Sequence, residues 1–119
     1  MVTGRGTGVD VELADGFWAP RQAQLRAHTL DVVLERLEAQ GVVDNFRRLA
    51  GAVDPAAVPR RAMHFCDSDL YKWLEAAVLA GRLDLAEPVI DLVGAVQQPD
   101  GYLDTYFIIK EPSLRWRNL

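Results

Sequence analysis

Residues Met63 to Ala76 read MHFCDSDLYKWLEA, and the fold turns on whether this stretch is a metal site, a catalytic site or the start of a helix. Leu70, Tyr71, Trp73, Leu74, Ala77 and Val78 recur at the i, i+1, i+3, i+4, i+7, i+8 spacing of a helix with one buried face, and Gly81 supplies a C-terminal stop. The helix therefore begins near Asp67, and the polar cluster sits at its mouth. His64 and Cys66 are two apart, so an extended backbone would turn them to one side, with Asp67 or Asp69 as an oxygen ligand. That set is incomplete, because zinc takes four ligands and no partner cluster exists elsewhere in the chain. Asp67 and Asp69 could instead serve acid–base chemistry, but residues two apart on a helix point to different faces. The simpler expectation is capping: Asp67 or Ser68 accepts hydrogen bonds from the free N–H groups of the first turn, at the positive end of the helix dipole. A cap at the mouth of a cleft can also touch a ligand, so the two roles are compatible.

Outward from this helix the chain reads as mainly α. Pro20 suits a first helical turn, and Leu25, Thr29, Val32, Val33 and Leu37 keep helical spacing up to Gly41. Asp44 to Ala50 predicts a short second helix, and AVDPAAVP a loop. A fourth helix is predicted from Asp84 to Gln97, with Asp84 as cap, Pro88 near the first turn, and Leu85, Val89, Leu92, Val93 and Val96 inward. The third and fourth helices, joined by a few residues, make an antiparallel hairpin whose single layer cannot cover both of its faces. Before the helices, residues 1–8 read as a mobile lead-in, and Val9 to Leu13 as a short strand closed by Asp15-Gly16. Phe17 and Trp18 are expected to anchor this segment by burial. After them, QPDG breaks the chain and YLDTYFII has the composition of an extended segment.

Composition limits the function. The chain has 119 residues, half of them hydrophobic, a quarter charged, and a net charge of −4. A nucleic-acid groove needs clustered Lys and Arg, and the pairs Arg47–Arg48 and Arg60–Arg61 are too short to supply one. Cys66 is the single cysteine, which rules out an internal disulfide and a multi-cysteine zinc site built from this chain alone. No apolar run approaches a membrane span and the N-terminus lacks the pattern of a secretory signal, so a soluble cytoplasmic protein is expected, without nucleic acid or membrane as partner.

The segment QQPDGYLDTYF, residues 97–107, gathers Gln97, Gln98, Asp100, Tyr102, Asp104 and Tyr106 around a turn. Amides, carboxylates and phenols meet sugar hydroxyls while aromatic faces pack on the C–H side of the ring. A turn leading into a packed aromatic segment explains the same residues.

Taken in order, DGFWAPR, DNFRRLAG, FCDSDLYKWLEA, QQPDGYLDTYF and RWRNL resemble the N-terminal part of glycoside hydrolase family 127, the bacterial β-L-arabinofuranosidases. The resemblance runs from Val11 to Leu119. It implies an α/α toroid (six-hairpin barrel), with residues 9–119 forming the opening helices of a catalytic domain that continues in a longer protein. It further implies a retaining exo-glycosidase in which a zinc-bound cysteine thiolate is the nucleophile and a glutamate the acid/base, in place of the usual two carboxylates. By the same resemblance the nucleophile, the zinc ligands and the glutamates lie beyond residue 119, so catalytic and metal residues here are none, zinc belongs to the full-length protein, and this portion is inactive alone. Cys66 falls at a variable position before DSD, and Asp104 stands where asparagine is common. Asp67, Ser68, Asp100 and Tyr102, and more weakly Asn45, are the expected cleft-rim or substrate-binding residues. An L-arabinofuranoside-type sugar is the expected partner, with a homodimer as an open alternative. A non-catalytic helical carbohydrate-binding or interaction module, or another toroid enzyme such as a polysaccharide lyase or unsaturated glucuronyl hydrolase, would fit the same helices.

Overall fold

A computed structural model describes residues 11–117. Its order is α1 (Trp18–Gln24), a π-helical turn (Leu25–Thr29), α2 (Leu30–Ala39), α3 (Val42–Leu49), α4 (Asp67–Leu79), α5 (Leu83–Val96), α6 (Thr105–Ile109) and a 3₁₀ helix (Pro112–Arg117). Among the described residues there is no strand. Val11 to Ala14 have no regular structure and are exposed, which corrects the strand expected at Val9–Leu13, while residues 9 and 10, the lead-in 1–8 and the last two residues of RWRNL lie outside the described residues.

The first long helix runs through, interrupted only by the π turn, and ends at Gly41. This glycine has φ of 78°, a conformation L side chains rarely adopt, and a Cβ there would stand 2.8 Å from Arg61 Cδ. The turn it makes is so tight that α3 starts at Val42, before the predicted Asp44. Arg47 then forks onto Glu38 and also pairs with Asp44 at 2.9 Å, tying α3 to the end of α2.

α4 ends as predicted at Gly81, where Arg82 N–H donates to Ala77 and Gly81 N–H to Val78, a Schellman closure. α5 follows at once, and its preceding residue is Arg82, so Asp84 is not its cap. Instead Asp84 receives the Arg82 guanidinium at 2.8 Å, and the same group reaches Asp31 at 2.9 Å and the Arg26 carbonyl at 2.7 Å. One side chain thus fastens the α4–α5 turn to the start of α2.

Arg82 holds the carboxyls of Asp31 and Asp84 below their ordinary value of 3.8, through hydrogen bonds first. A depressed folded pKa gives stability that is complete above the unfolded value and lost as pH falls through the folded one. Both carboxylates are exposed and screened, so the effect is small. Arg82→Gln is expected to lower Tm slightly at about pH 6, and the difference from the wild type is expected to shrink as the pH falls through the lowered pKa values of the two carboxyls. Melting curves across that range check it.

Leu30 and Leu37 of α2, Val42, Val43 and Phe46 of α3, Leu70, Trp73 and Ala77 of α4, and Ala86, Val89 and Val96 of α5 form the core. The Trp73 indole N–H donates to the Leu30 carbonyl at 2.8 Å, satisfying the polar atom that a buried tryptophan carries inward. The layer is incomplete as a globule. Its radius of gyration is 16.9 Å, against about 13–14 Å for a compact domain of this length. Val32, Leu79 and Ile90 face solvent at 48%, 79% and 45% exposure, as a single hairpin layer requires. Phe17 and Trp18, expected to be buried, pack only edge to face on each other at 4.9 Å, with Arg21 over the Phe17 ring, and both remain exposed. Nothing in α1 is buried, so these aromatics have no core to anchor to.

Candidate functional site

The DSD motif opens α4, but its side chains do not cap that helix. Residues 63–66 already turn in helical fashion: Cys66 N–H donates to Met63, Ser68 N–H to Phe65 and Asp69 N–H to Cys66. Backbone carbonyls therefore take the donors a side chain would have taken. The Ser68 hydroxyl donates to the Phe65 carbonyl at 3.0 Å and reinforces the same turn.

Asp67 is buried and points away from its own helix. It accepts from the Thr105 backbone N–H at 2.6 Å and from the Thr105 hydroxyl at 2.7 Å, across 38 residues of sequence. Thr105 is the first residue of α6, so Asp67 satisfies an orphan donor of a different helix. The third N–H of α6, that of Phe107, is taken by the Asp104 carboxylate at 3.1 Å, a normal side-chain cap. These two carboxylates explain why YLDTYFII, expected to be extended, turns helical after Asp104. Only Tyr102 to Asp104 stay outside a helix, Asp104 with extended φ of −165°. Burial pushes the Asp67 carboxyl up, opposed by both Thr105 hydrogen bonds. Both Thr105 partners are donors, an arrangement an ionised carboxylate satisfies.

Behind Asp67 lies Cys66, its Sγ 3.9 Å from the carboxylate, 3.6 Å from Asn45 Nδ2 and 3.5 Å from the Arg60 guanidinium. Burial pushes this thiol up, and the Asp67 charge adds to the shift, so it stays protonated and is a poor nucleophile. Asn45 is itself buried and meets Arg61 as a strand would, donating to its carbonyl and accepting from its N–H, both at 2.9 Å. Tyr71, on the next turn of α4, has a buried hydroxyl whose pKa is raised by burial first and then by the charges of Asp67 and Asp104. His64 is exposed, with its ring 5.0 Å from Phe65 and 5.9 Å from Tyr106, and Arg60 lies over the Tyr106 ring.

QPDG folds on itself. Gly101 N–H donates to Gln98, Gln98 N–H to Tyr102, and the Gln97 amide to the Gly101 carbonyl, while the Asp100 carboxylate accepts from Tyr102 N–H at 3.1 Å. Proline at the second turn position and glycine at the fourth suit this turn. Arg115 of the 3₁₀ helix reaches Asp100 at 2.9 Å. Tyr102 is buried, its ring 4.9 Å from Trp116 and edge-on.

Of the five residues singled out in the sequence, the structure joins Asn45 and Asp67 through Cys66, keeps Ser68 in the turn beside them, and places Asp100 and Tyr102 in a second network with Arg115 and Trp116. Thr105 and Arg115, each essential to one network, were missed. A threonine in an aromatic run carries no signal without its partner, and RWR reads only as positive charge. Among the described residues no group of three or more His, Cys, Asp or Glu side chains could hold a metal ion, so the zinc implied by the resemblance has no ligand set in them. A groove of about 460 Å³ between α2 and α4 has an apolar floor of Leu25, Leu30, Val33, Leu37, Trp73 and Ala76, with Arg36, Gln40, Asp69 and Lys72 also on its walls.

The family model for the β-L-arabinofuranosidase GH127 catalytic domain matches residues 10–119. The chain belongs to the GH127 family. A non-reducing end β-L-arabinofuranosidase of Bifidobacterium longum subsp. longum is 43% identical over 75 residues, 57% of this chain and 11% of that protein. The crystal structure of a GH127 β-L-arabinofuranosidase from Geobacillus stearothermophilus T6 superimposes with a TM-score of 0.78 at 36% identity, over 92% of this chain and 19% of that one. The chain thus spans about a tenth to a fifth of the length of the GH127 relatives it matches.

Proposed function

We propose that the chain forms the opening helices of an α/α toroid in a retaining exo-glycosidase that releases L-arabinofuranose from β-linked substrates. The observation that carries this reading is the GH127 match over residues 10–119, joined to a backbone that superimposes on a solved GH127 enzyme. In this proposal the nucleophilic cysteine, the acid/base glutamate and the zinc ligands come from outside residues 1–119. What this chain contributes is a rim: the start of α4 with Asp67 and Ser68, and the 97–104 loop with Asp100 and Tyr102, clamped together. Cys66, buried and protonated, takes no part in bond cleavage. The protein acts in the cytoplasm.

The test is hydrolysis of an aryl β-L-arabinofuranoside by the protein that carries this chain, with the anomeric form of the released sugar followed by NMR. Release of arabinose with retention is the expected outcome. Cleavage of unsaturated uronides with silence toward arabinofuranosides would move the protein to a different toroid chemistry. Residues 1–119 alone are expected to be silent, and hydrolysis by them would overturn the placement of the catalytic residues.

A further inference from the structure

We propose that Asp67 and Thr105 are positioning residues for the sugar-facing loop, Asp67 fixing the 97–104 segment in place by holding the residue that ends it. The proposal rests on the function argued above and names how its rim is set. The hydrogen bonds inside the loop, from Gly101 to Gln98, Gln98 to Tyr102 and Gln97 to Gly101, give it a shape but do not locate it against the helices. The Arg115–Asp100 ion pair does not locate it either, because Arg115 belongs to the 3₁₀ helix that follows α6 and moves with it. Tyr102 is buried and Leu103 packs against the core, which sets the depth of the segment, and its two ends fix its course. At one, Val96 of α5 is buried in the core; at the other, Thr105 is fully buried and both of its donors, backbone and side chain, end on one carboxylate of α4. Two short bonds from one residue to one carboxylate fix direction as well as distance. Asp67 is in turn held from behind by Cys66, which Asn45 and Arg60 contact. The start of α4 and the loop carrying Asp100 therefore move as one piece.

Three variants test this in the protein that carries the chain. Asp67→Asn turns an amide NH₂ toward one of two donors, Thr105→Val removes the hydroxyl at nearly constant volume, and Thr105→Ser restores it. In Asp67→Asn and Thr105→Val, amide hydrogen exchange of residues 97–105 is expected to accelerate roughly tenfold to a hundredfold, the factor that accompanies one lost charge-assisted bond, with α2 unchanged. KM for an aryl β-L-arabinofuranoside is expected to rise about fivefold or more with kcat within about twofold, the sign of lost binding shared by ground and transition states. Thr105→Ser should recover both. Unchanged exchange in the loop overturns the clamp, and exchange rising equally throughout the protein shows a merely structural bond. A loosened loop with unmoved KM overturns the positioning role. A wild-type protein inactive on arabinofuranosides overturns the function proposed above, and the clamp is then decided by exchange alone.

Discussion

Phe46→Ala is expected to lower the free energy of unfolding by about 3–5 kcal/mol, the range for truncating a buried aromatic. Phe46 has no exposed surface; it belongs to the core cluster with Val42 and Val43 of its own helix, and its ring meets Tyr71 of α4 edge to face at 6.0 Å. Its removal costs the transfer of the ring and leaves a cavity, because the helices around it are fixed by their own ties. Arg47 holds α3 to α2, and the Trp73 indole holds α4 to α2. A wall that cannot collapse keeps the cavity open. Val32→Ala, at a site 48% exposed on α2, is the control and should stay within about 0.5 kcal/mol. Urea unfolding of the purified protein measures both. A loss below about 1 kcal/mol at Phe46 would place the centre of the core elsewhere.

Asn45→Leu is the second large effect, and it tests the polar half of the same region. The Asn45 side chain is 1% exposed and exchanges a donor and an acceptor with the backbone of Arg61. Leucine keeps the volume and removes both partners, leaving an N–H and a C=O unmatched. At about 1–3 kcal/mol for each group left unsatisfied, the cost is roughly 2–4 kcal/mol, since Arg61 keeps some access to water. The loosening should begin in the 60–66 connection, because Asn45 also holds Cys66 and Gly41 fits against Arg61 with no room for a Cβ. Limited proteolysis followed by mass spectrometry would detect early cleavage between Arg60 and Phe65. Cleavage confined to the 97–104 loop would sink this assignment. Asn45 thus stands as a staple of the loop before α4.

The apolar periodicities of α2, α4 and α5 were legible because burial on one face imposes a 3.6-residue repeat that neighbours in sequence share. Leu70, Trp73 and Ala77 are buried where that repeat puts them, and Gly41 and Gly81 end their helices because a left-handed residue is needed at each stop. Less legible were α6 and the aromatic anchor. Tyr106, Phe107, Ile108 and Ile109 have strand-like side chains, and local propensity lost to two carboxylates that meet the free N–H groups at Thr105 and Phe107. Phe17 and Trp18 looked like core residues from size alone, but burial depends on what stands opposite them, and in this structure both are exposed.

At the candidate site Asp67 does not cap its own helix, as its position in the sequence suggested it would. Its carboxylate does meet an orphan helix donor, yet on α6 and not on α4. Sequence alone determined the family, through motifs kept in order, and the helical faces, through local repeats. The tertiary structure decided which motif answers which: Asp67 with Thr105, Asn45 with Arg61, Asp100 with Arg115. The reason is physical. A repeat is a property of adjacent residues, whereas a buried hydrogen bond is fixed by whichever donor the packed helices bring within about 3 Å, and no local pattern records that approach.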